Sequence, residues 1–159
     1  MPRVNEADGG DPCDTVRRNA LSKLDWCRSR QPVRRILTAD TVVVWDGKPV
    51  GKPASLAEAR RWLLSFSGQD QEVLTGIAYL DGRGRVRNDV VRSVVRFRVF
   101  GDEAVDAYLA QVNPLDKAGG YDIDQHGELL IAGWEGSHTN IMGLPVERLT
   151  EWLREDGVL

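Results

Sequence analysis

The stretch ILTADTVVVWDGKPVGKP, residues Ile36–Pro53, decides how this chain folds. Thr41, Val42, Val43 and Val44 form a β-branched run of the kind a pleated, covered strand uses. Asp46-Gly47 is a strong tight-turn pair, so Arg35–Trp45 and Lys48–Lys52 read as a hairpin with its tip at Gly47. Asp40 breaks the pattern. A carboxylate beside a buried run has to be neutralised, hydrogen-bonded or placed at an open edge, so Asp40 requires a partner.

Outward from this hairpin the chain alternates between helical and strand periods. Upstream, Cys13, Val16, Ala20, Leu24 and Cys27 step by three or four, which predicts a helix from Pro12 to about Arg28, with Asp11 before it as cap. Lys23 borders the buried side of that stripe. Downstream, Pro53 stops the hairpin, and Ser55 with Glu58 forms a capping box ahead of Leu56, Ala59, Leu63 and Phe66, a helix ending near Ser67-Gly68.

Gln71–Leu80 reads as a strand, followed by the turn Asp81-Gly82-Arg83-Gly84 and a second strand run from Val86 to Phe100. There Val95, Phe97 and Val99 are expected dry, with Arg96 and Arg98 wet. Asp102 is expected to cap a helix carrying Val105, Tyr108, Leu109 and Val112. Glu128–Ala132 reads as a late strand, and a last helix from Pro145 buries Val146, Leu149 and Leu153. The alternation predicts an α/β fold with a partly antiparallel sheet.

The 159 residues fit one domain with its own core. No apolar run approaches the ~20 residues of a membrane span, so no membrane partner is expected. The N-terminus shows no secretory signal, which places the chain in the cytoplasm. Twenty-one Lys plus Arg against 24 Asp plus Glu give a net charge of −3, without the basic footprint of nucleic-acid binding. Cys13 and Cys27 lack the companions of a zinc site and read as reduced core residues. Neither GxxxxGK[ST] nor GxGxxG occurs, so no Walker loop or dinucleotide fold is inferred.

Glu6, Lys23, Asp40, Lys52, Asp116 and Lys117 interrupt the apolar framework. A carboxylate at a strand edge can ligate a hard divalent cation or accept a proton from water, and nearby lysines can neutralise phosphate oxygens. Together they suit phosphate-ester chemistry. For Asp116 and Lys117 the other reading is an ion pair that fixes a loop. Asn140 reads as a cap or pin for its turn, His126 and His138 as loop polar residues, and Arg92, Arg96 and Arg98 as a solvated sheet face in preference to a phosphate-binding stripe. Trp134 reads either as a base-stacking surface or as packing.

Three separated motifs, TADTVVVWDGKPVGKP, DKAGGY and GSHTNIMGLP, resemble in this order those of the Maf-like family of nucleoside triphosphate pyrophosphatases, also called septum formation inhibitor proteins. The resemblance implies a twisted mixed β-sheet flanked by helices, with a substrate cleft, as in the inosine triphosphatase-like folds. It implies hydrolysis of a nucleoside triphosphate to the monophosphate and pyrophosphate with a divalent cation, usually Mg2+, and it suggests a homodimer.

Carried over position by position, the resemblance makes Asp40 of the "ADT" motif the proton acceptor and, with Glu6 of "VNE", a metal ligand. Lys23 and Lys52 become the phosphate-neutralising cations. Thr41 falls at a position linked to base selection in members that prefer dTTP and UTP, and Asp116 and Lys117 match the family's "DKAG". Where the family reads "YGIQG", this chain has Tyr121-Asp122-Ile123-Asp124-Gln125, so Asp124 replaces the glutamine that would read the pyrimidine edge. An acceptor-only carboxylate cannot donate to a base carbonyl as an amide can.

The family's opening S-x-S-P-R-R loop does not occur in this sequence, which is expected to be an N-terminally shortened domain spanning 1–159. Two classes of function follow. One is a metal-dependent pyrophosphatase acting on dTTP, UTP or modified nucleotides. The other is a nucleotide-binding or interaction module that keeps the fold and affects cell division without turnover.

Overall fold

The computed structural model describes residues 10–30 and 35–159. In chain order the elements are α1 (Pro12–Arg30), β1 (Ile36–Trp45), β2 (Lys48–Val50), α2 (Leu56–Phe66), β3 (Asp70–Leu80), β4 (Val86–Phe97), α3 (Asp102–Leu109), β5 (Ile131–Glu135), α4 (His138–Ile141) and α5 (Val146–Glu155). Short 3-10 turns occupy Ala118–Gly120 and Gly127–Leu129. The strands form one five-stranded sheet in the order β2-β1-β3-β4-β5. This is the α/β class read from the sequence. The β1–β2 and β4–β5 ladders are both antiparallel.

The hairpin forms as the Asp-Gly pair requires. Asp46 and Gly47 both take positive φ, 50° and 69°, and Trp45 then faces Lys48 across the ladder. Two successive left-handed residues match the right-handed twist of the flanking strands. The β3–β4 turn is fixed differently. The buried Asp81 carboxylate accepts from the backbone N–H groups of Arg83 and Arg85, each at 2.9 Å, and from Arg85 Nε at 2.7 Å.

The chain divides into two compact units, with three of the four divisions falling inside β1, β3 and β4 and the fourth between β5 and α4. The first comprises the chain up to Thr41 with Leu74–Arg92 and Ser137–Leu159. Within it, the two faces of β3 are covered by different helices. Ala78 and Leu80 pack with Ile36 against Ala20 and Leu24 of α1, whereas Ile77 and Tyr79 pack against Trp152 of α5. This alternation is the period-2 consequence of a strand buried on both sides. Gly76 lies on the α1 side, and a Cβ there would collide with the Val16 carbonyl. The glycine sets how closely the helix approaches.

The second unit comprises Val42–Val73 and Ser93–Gly136. Its core is aromatic. Phe66 of α2 meets Trp45 and Phe97 at centroid distances of 5.2 and 5.6 Å, and Phe97 also meets Tyr121 edge-on at 5.0 Å. Arg60 of α2 ties down α3 through Asp102 at 2.5 Å and Asp106 at 2.7 Å.

Several expectations shift. Gly101, not Asp102, occupies the cap of α3, because the Asp102 carboxylate is the partner of Arg60. The late strand begins at Ile131, since His126 adopts a left-handed φ of 53° and the chain then makes a 3-10 turn before it can pair with β4. β4 ends at Phe97, which leaves Val99 90% exposed. α5 begins at Val146, and its buried residue is Trp152, with Val146 exposed. Cys13 and Cys27 are half-buried on α1 and form no disulfide among the described residues.

Candidate active site

In the first unit, the side chains of β1 separate by parity. Ile36, Thr38 and Asp40 face α1: Ile36 packs on it, Thr38 Oγ1 donates to the Ala20 carbonyl at 2.7 Å, and Asp40 meets two of its side chains. Ala39 and Thr41 face the other way. Thr41 Oγ1 hydrogen-bonds Thr75 Oγ1 at 2.9 Å and lies 3.4 Å from the Gly143 carbonyl. Asp40 and Thr41, neighbours in sequence, therefore address opposite sides of the sheet.

The partner that Asp40 requires is Lys23, whose Nζ donates to Oδ1 at 2.5 Å and lies 3.5 Å from the Ala39 carbonyl. Asp40 Oδ2 accepts from Asn19 Nδ2 at 2.9 Å. Asn19 and Lys23 are one helical step of four apart and so share a face, beside the buried stripe of Val16, Ala20 and Leu24. The Asp40 side chain remains 14% exposed and that of Lys23 28%, so the pair is partly accessible. The sequence reading found Lys23 and missed Asn19. The signal that could have found it is this i, i+4 relation to the lysine.

The motif GSHTNIMGLP folds as α4, capped by Ser137, whose Oγ accepts from the Asn140 N–H at 3.0 Å. Asn140 is fully buried, and its carbonyl accepts from Thr75 Oγ1 at 3.2 Å. Glu147 of α5 accepts from Thr139 and Ser137, both at 2.7 Å, and the Thr139 bond, followed by Glu147's own backbone N–H and the Ser137 bond, holds its carboxyl below the usual carboxylate range. The motif thus locks α4 to α5.

In the second unit, the Gly119 N–H donates to the Gly51 carbonyl at 2.9 Å, and Gly119 takes a φ of +74°. That bond lays the Lys52 segment alongside the segment carrying Asp116 and Lys117. Lys52 is exposed. Lys117 Nζ lies 3.1 Å from Asp116 and 3.6 Å from Asp122, so the ion-pair reading of Asp116-Lys117 describes the observed geometry.

Asp122, which the sequence reading did not single out, organises the rest of this loop. It accepts from the Asp124 N–H and from Gln125 Nε2, each at 2.9 Å. Its own N–H donates to Tyr108 Oη at 2.8 Å, and burial pushes that phenol up to about 12. The Asp124 side chain is exposed. Glu6 lies outside the described residues. Among the described residues no three His, Cys, Asp or Glu gather as metal ligands, and no helix is long and apolar enough to cross a membrane.

A sequence model described as Maf-like protein matches residues 2–156. The chain belongs to the Maf-like family. Relatives of this Maf-like chain include a protein named dTTP/UTP pyrophosphatase from Dictyoglomus thermophilum, 38% identical over 160 residues, covering 98% of this chain and 83% of the relative. One of the same name from Symbiobacterium thermophilum is 37% identical over 159 residues, covering 99% and 81%. Another from Moorella thermoacetica is 43% identical over 124 residues, covering 77% and 64%.

Proposed function

We propose that this Maf-like chain is a nucleoside triphosphate pyrophosphatase that hydrolyses dTTP and UTP to the monophosphate and pyrophosphate. The observation that carries the reading is the Asp40 carboxylate of the "ADT" motif, held by Asn19 and Lys23 yet still partly exposed. The names of the relatives support the substrate class.

In the reaction, a water oxygen forms a bond to phosphorus, and the bridging bond between the α- and β-phosphoryl groups breaks. The departing pyrophosphate takes the electron pair. Asp40 accepts the water proton, a role that needs an ionised carboxylate with a free lone pair toward the water. Asn19 and Lys23 occupy one direction on each oxygen, and an ionised carboxylate offers about four lone-pair sites in all. Lys23 meets the charge that develops on the phosphoryl oxygens, and Lys52 supplies a further cation to the triphosphate.

Mg2+ is the proposed cofactor. It is commonly held by one or two carboxylates together with substrate phosphates, which a single accessible Asp40, supplemented by Glu6, fits. When bound, it neutralises phosphate charge and polarises the phosphoryl group. Asp116, Lys117, Thr41 and Asp124 are proposed to shape substrate binding, the first two through the Asp122-centred loop. A cytoplasmic location, a role in septum formation and a homodimer belong to the same proposal.

The test incubates the chain with Mg2+ and a panel of dTTP, UTP, dCTP, dATP and dGTP, and quantifies monophosphate and pyrophosphate. Stoichiometric release of both, with the highest kcat/KM for dTTP and UTP, is the expected result. Binding of nucleotide with no pyrophosphate release would contradict it and favour the non-catalytic module.

A further inference from the structure

We propose that Asn19 is a positioning residue for Asp40, an amide that fixes the direction in which the carboxylate presents its remaining lone pairs. The proposal rests on the reading of Asp40 as proton acceptor. The geometry behind it is independent of that reading. Asn19 is 5% exposed and sits in the middle of a 19-residue helix, among Val16, Ala20 and Leu24.

An asparagine is unfavourable there on two counts. Its side chain competes with the helix backbone for hydrogen bonds, and its amide is taken out of water. An apolar residue would satisfy both the helix and the core. A local rule broken at one position, with compensation that reaches a candidate functional group, marks a site. Here the compensation includes the 2.9 Å bond from Asn19 Nδ2 to Asp40 Oδ2.

Lys23 alone would not orient the carboxylate. An ammonium is a compact charge on a flexible stem, and a carboxylate can rotate while keeping one oxygen against it. The second donor, on the other oxygen, removes that rotation. It also does so without adding charge. A second lysine would orient it equally and compete for the same lone pairs.

The test compares Asn19→Leu, Asn19→Gln, Asp40→Asn and the unaltered chain in pyrophosphate release from dTTP with Mg2+. Misorientation at the reacting atom lowers kcat by about 10–100-fold and leaves KM within about twofold. Asn19→Leu is expected to show that split while melting at or above the wild-type temperature, because it adds apolar packing. Asn19→Gln, which keeps a donor, is expected to recover part of kcat.

A readout that does not use turnover accompanies it. In a thermal-stability cycle, Asn19→Asp lowers Tm by opposing two carboxylates, and adding Asp40→Asn restores it by re-forming the bond in the reverse sense. Unchanged kcat in Asn19→Leu beside an inactive Asp40→Asn overturns the positioning role and leaves the enzymatic reading standing. If the unaltered chain releases no pyrophosphate, the enzymatic reading fails, and the positioning role in catalysis falls with it. The cycle then reports separately on the contact: restored Tm supports it, and additive losses overturn it.

Discussion

At the scale of the residue, Asp156 serves stability, whereas Asp40 is the carboxylate proposed to serve chemistry. Asp156 has a side chain only 1% exposed and accepts from Arg35 Nε at 2.6 Å, Tyr79 Oη at 2.8 Å and Gly82 N at 3.3 Å. The Arg35 bond, followed by that of Tyr79, holds its pKa down at about 2, below an unfolded value of about 3.9. The stability it contributes is therefore complete above about pH 4 and is lost as pH falls toward 2. Asp156→Asn should lower Tm at pH 7 and flatten the fall in Tm between pH 4 and pH 2, as calorimetry across that range would show. A wild-type fall that persists unchanged in the variant would contradict this. At Asp40, the proposed proton acceptor, Lys23→Met should reduce kcat by roughly 10²-fold, the usual effect of removing one donor that meets developing charge, as steady-state kinetics would measure. Asp40 and Lys23 were legible in the sequence because a charged residue beside a β-branched run and one beside an apolar stripe each demand an explanation. Asn19 was passed over, although its i, i+4 spacing to Lys23 was there to read. A single amide near a helix stripe looks like ordinary surface until the strand opposite it is in place.

Elements were read well wherever their signals are local. The Asp46-Gly47 turn needs only its own two dihedrals, and α2 begins where Ser55 says it should. Ser55 Oγ accepts from the Glu58 N–H at 3.2 Å, while Glu58 Oε2 accepts from Ala54 N at 2.6 Å, one residue before the expected partner. Ser55→Ala should cost about 1 kcal/mol, or roughly 2–4 °C in Tm for a chain of this size. Elements set by distant partners were misread. β5 starts at Ile131 because its ladder with β4 and the shift between Arg96 and Phe97 decide its register, which no window of its own residues encodes. The approach of α1 to β3 is of the same kind. Gly76→Ala places a methyl group against the Val16 backbone, where no side chain can rotate away. Overpacking of this sort costs about 1–3 kcal/mol. Because Val16 is one turn from Asn19 and two turns from Lys23 on the same helix, the variant should lose both thermal stability and kcat. A drop in Tm with unaltered kcat would show that the helix shifts without moving those two side chains.

At the scale of the whole molecule, the α/β class followed from alternating periods, but the strand order did not. Insertion of β1 between β2 and β3 is a long-range result, as is the bond from Gly119 to Gly51 that joins two motifs far apart in sequence. The motifs themselves carried the family, and the family model over residues 2–156 agrees with them. What local reading could not foresee is the division of labour among their residues. Asp40 meets Lys23 and Asn19 on α1, Thr41 turns to Thr75 and Gly143, and Lys117 is held by Asp116 and Asp122. The account stands on the first of these groupings. Its most direct test is the rate of pyrophosphate release from dTTP with Mg2+ by the unaltered chain and by Asp40→Asn, both confirmed folded by their melting curves. The account predicts release by the unaltered chain and a loss of about 10²–10⁴-fold in kcat for the variant. Equal rates from the two would contradict it.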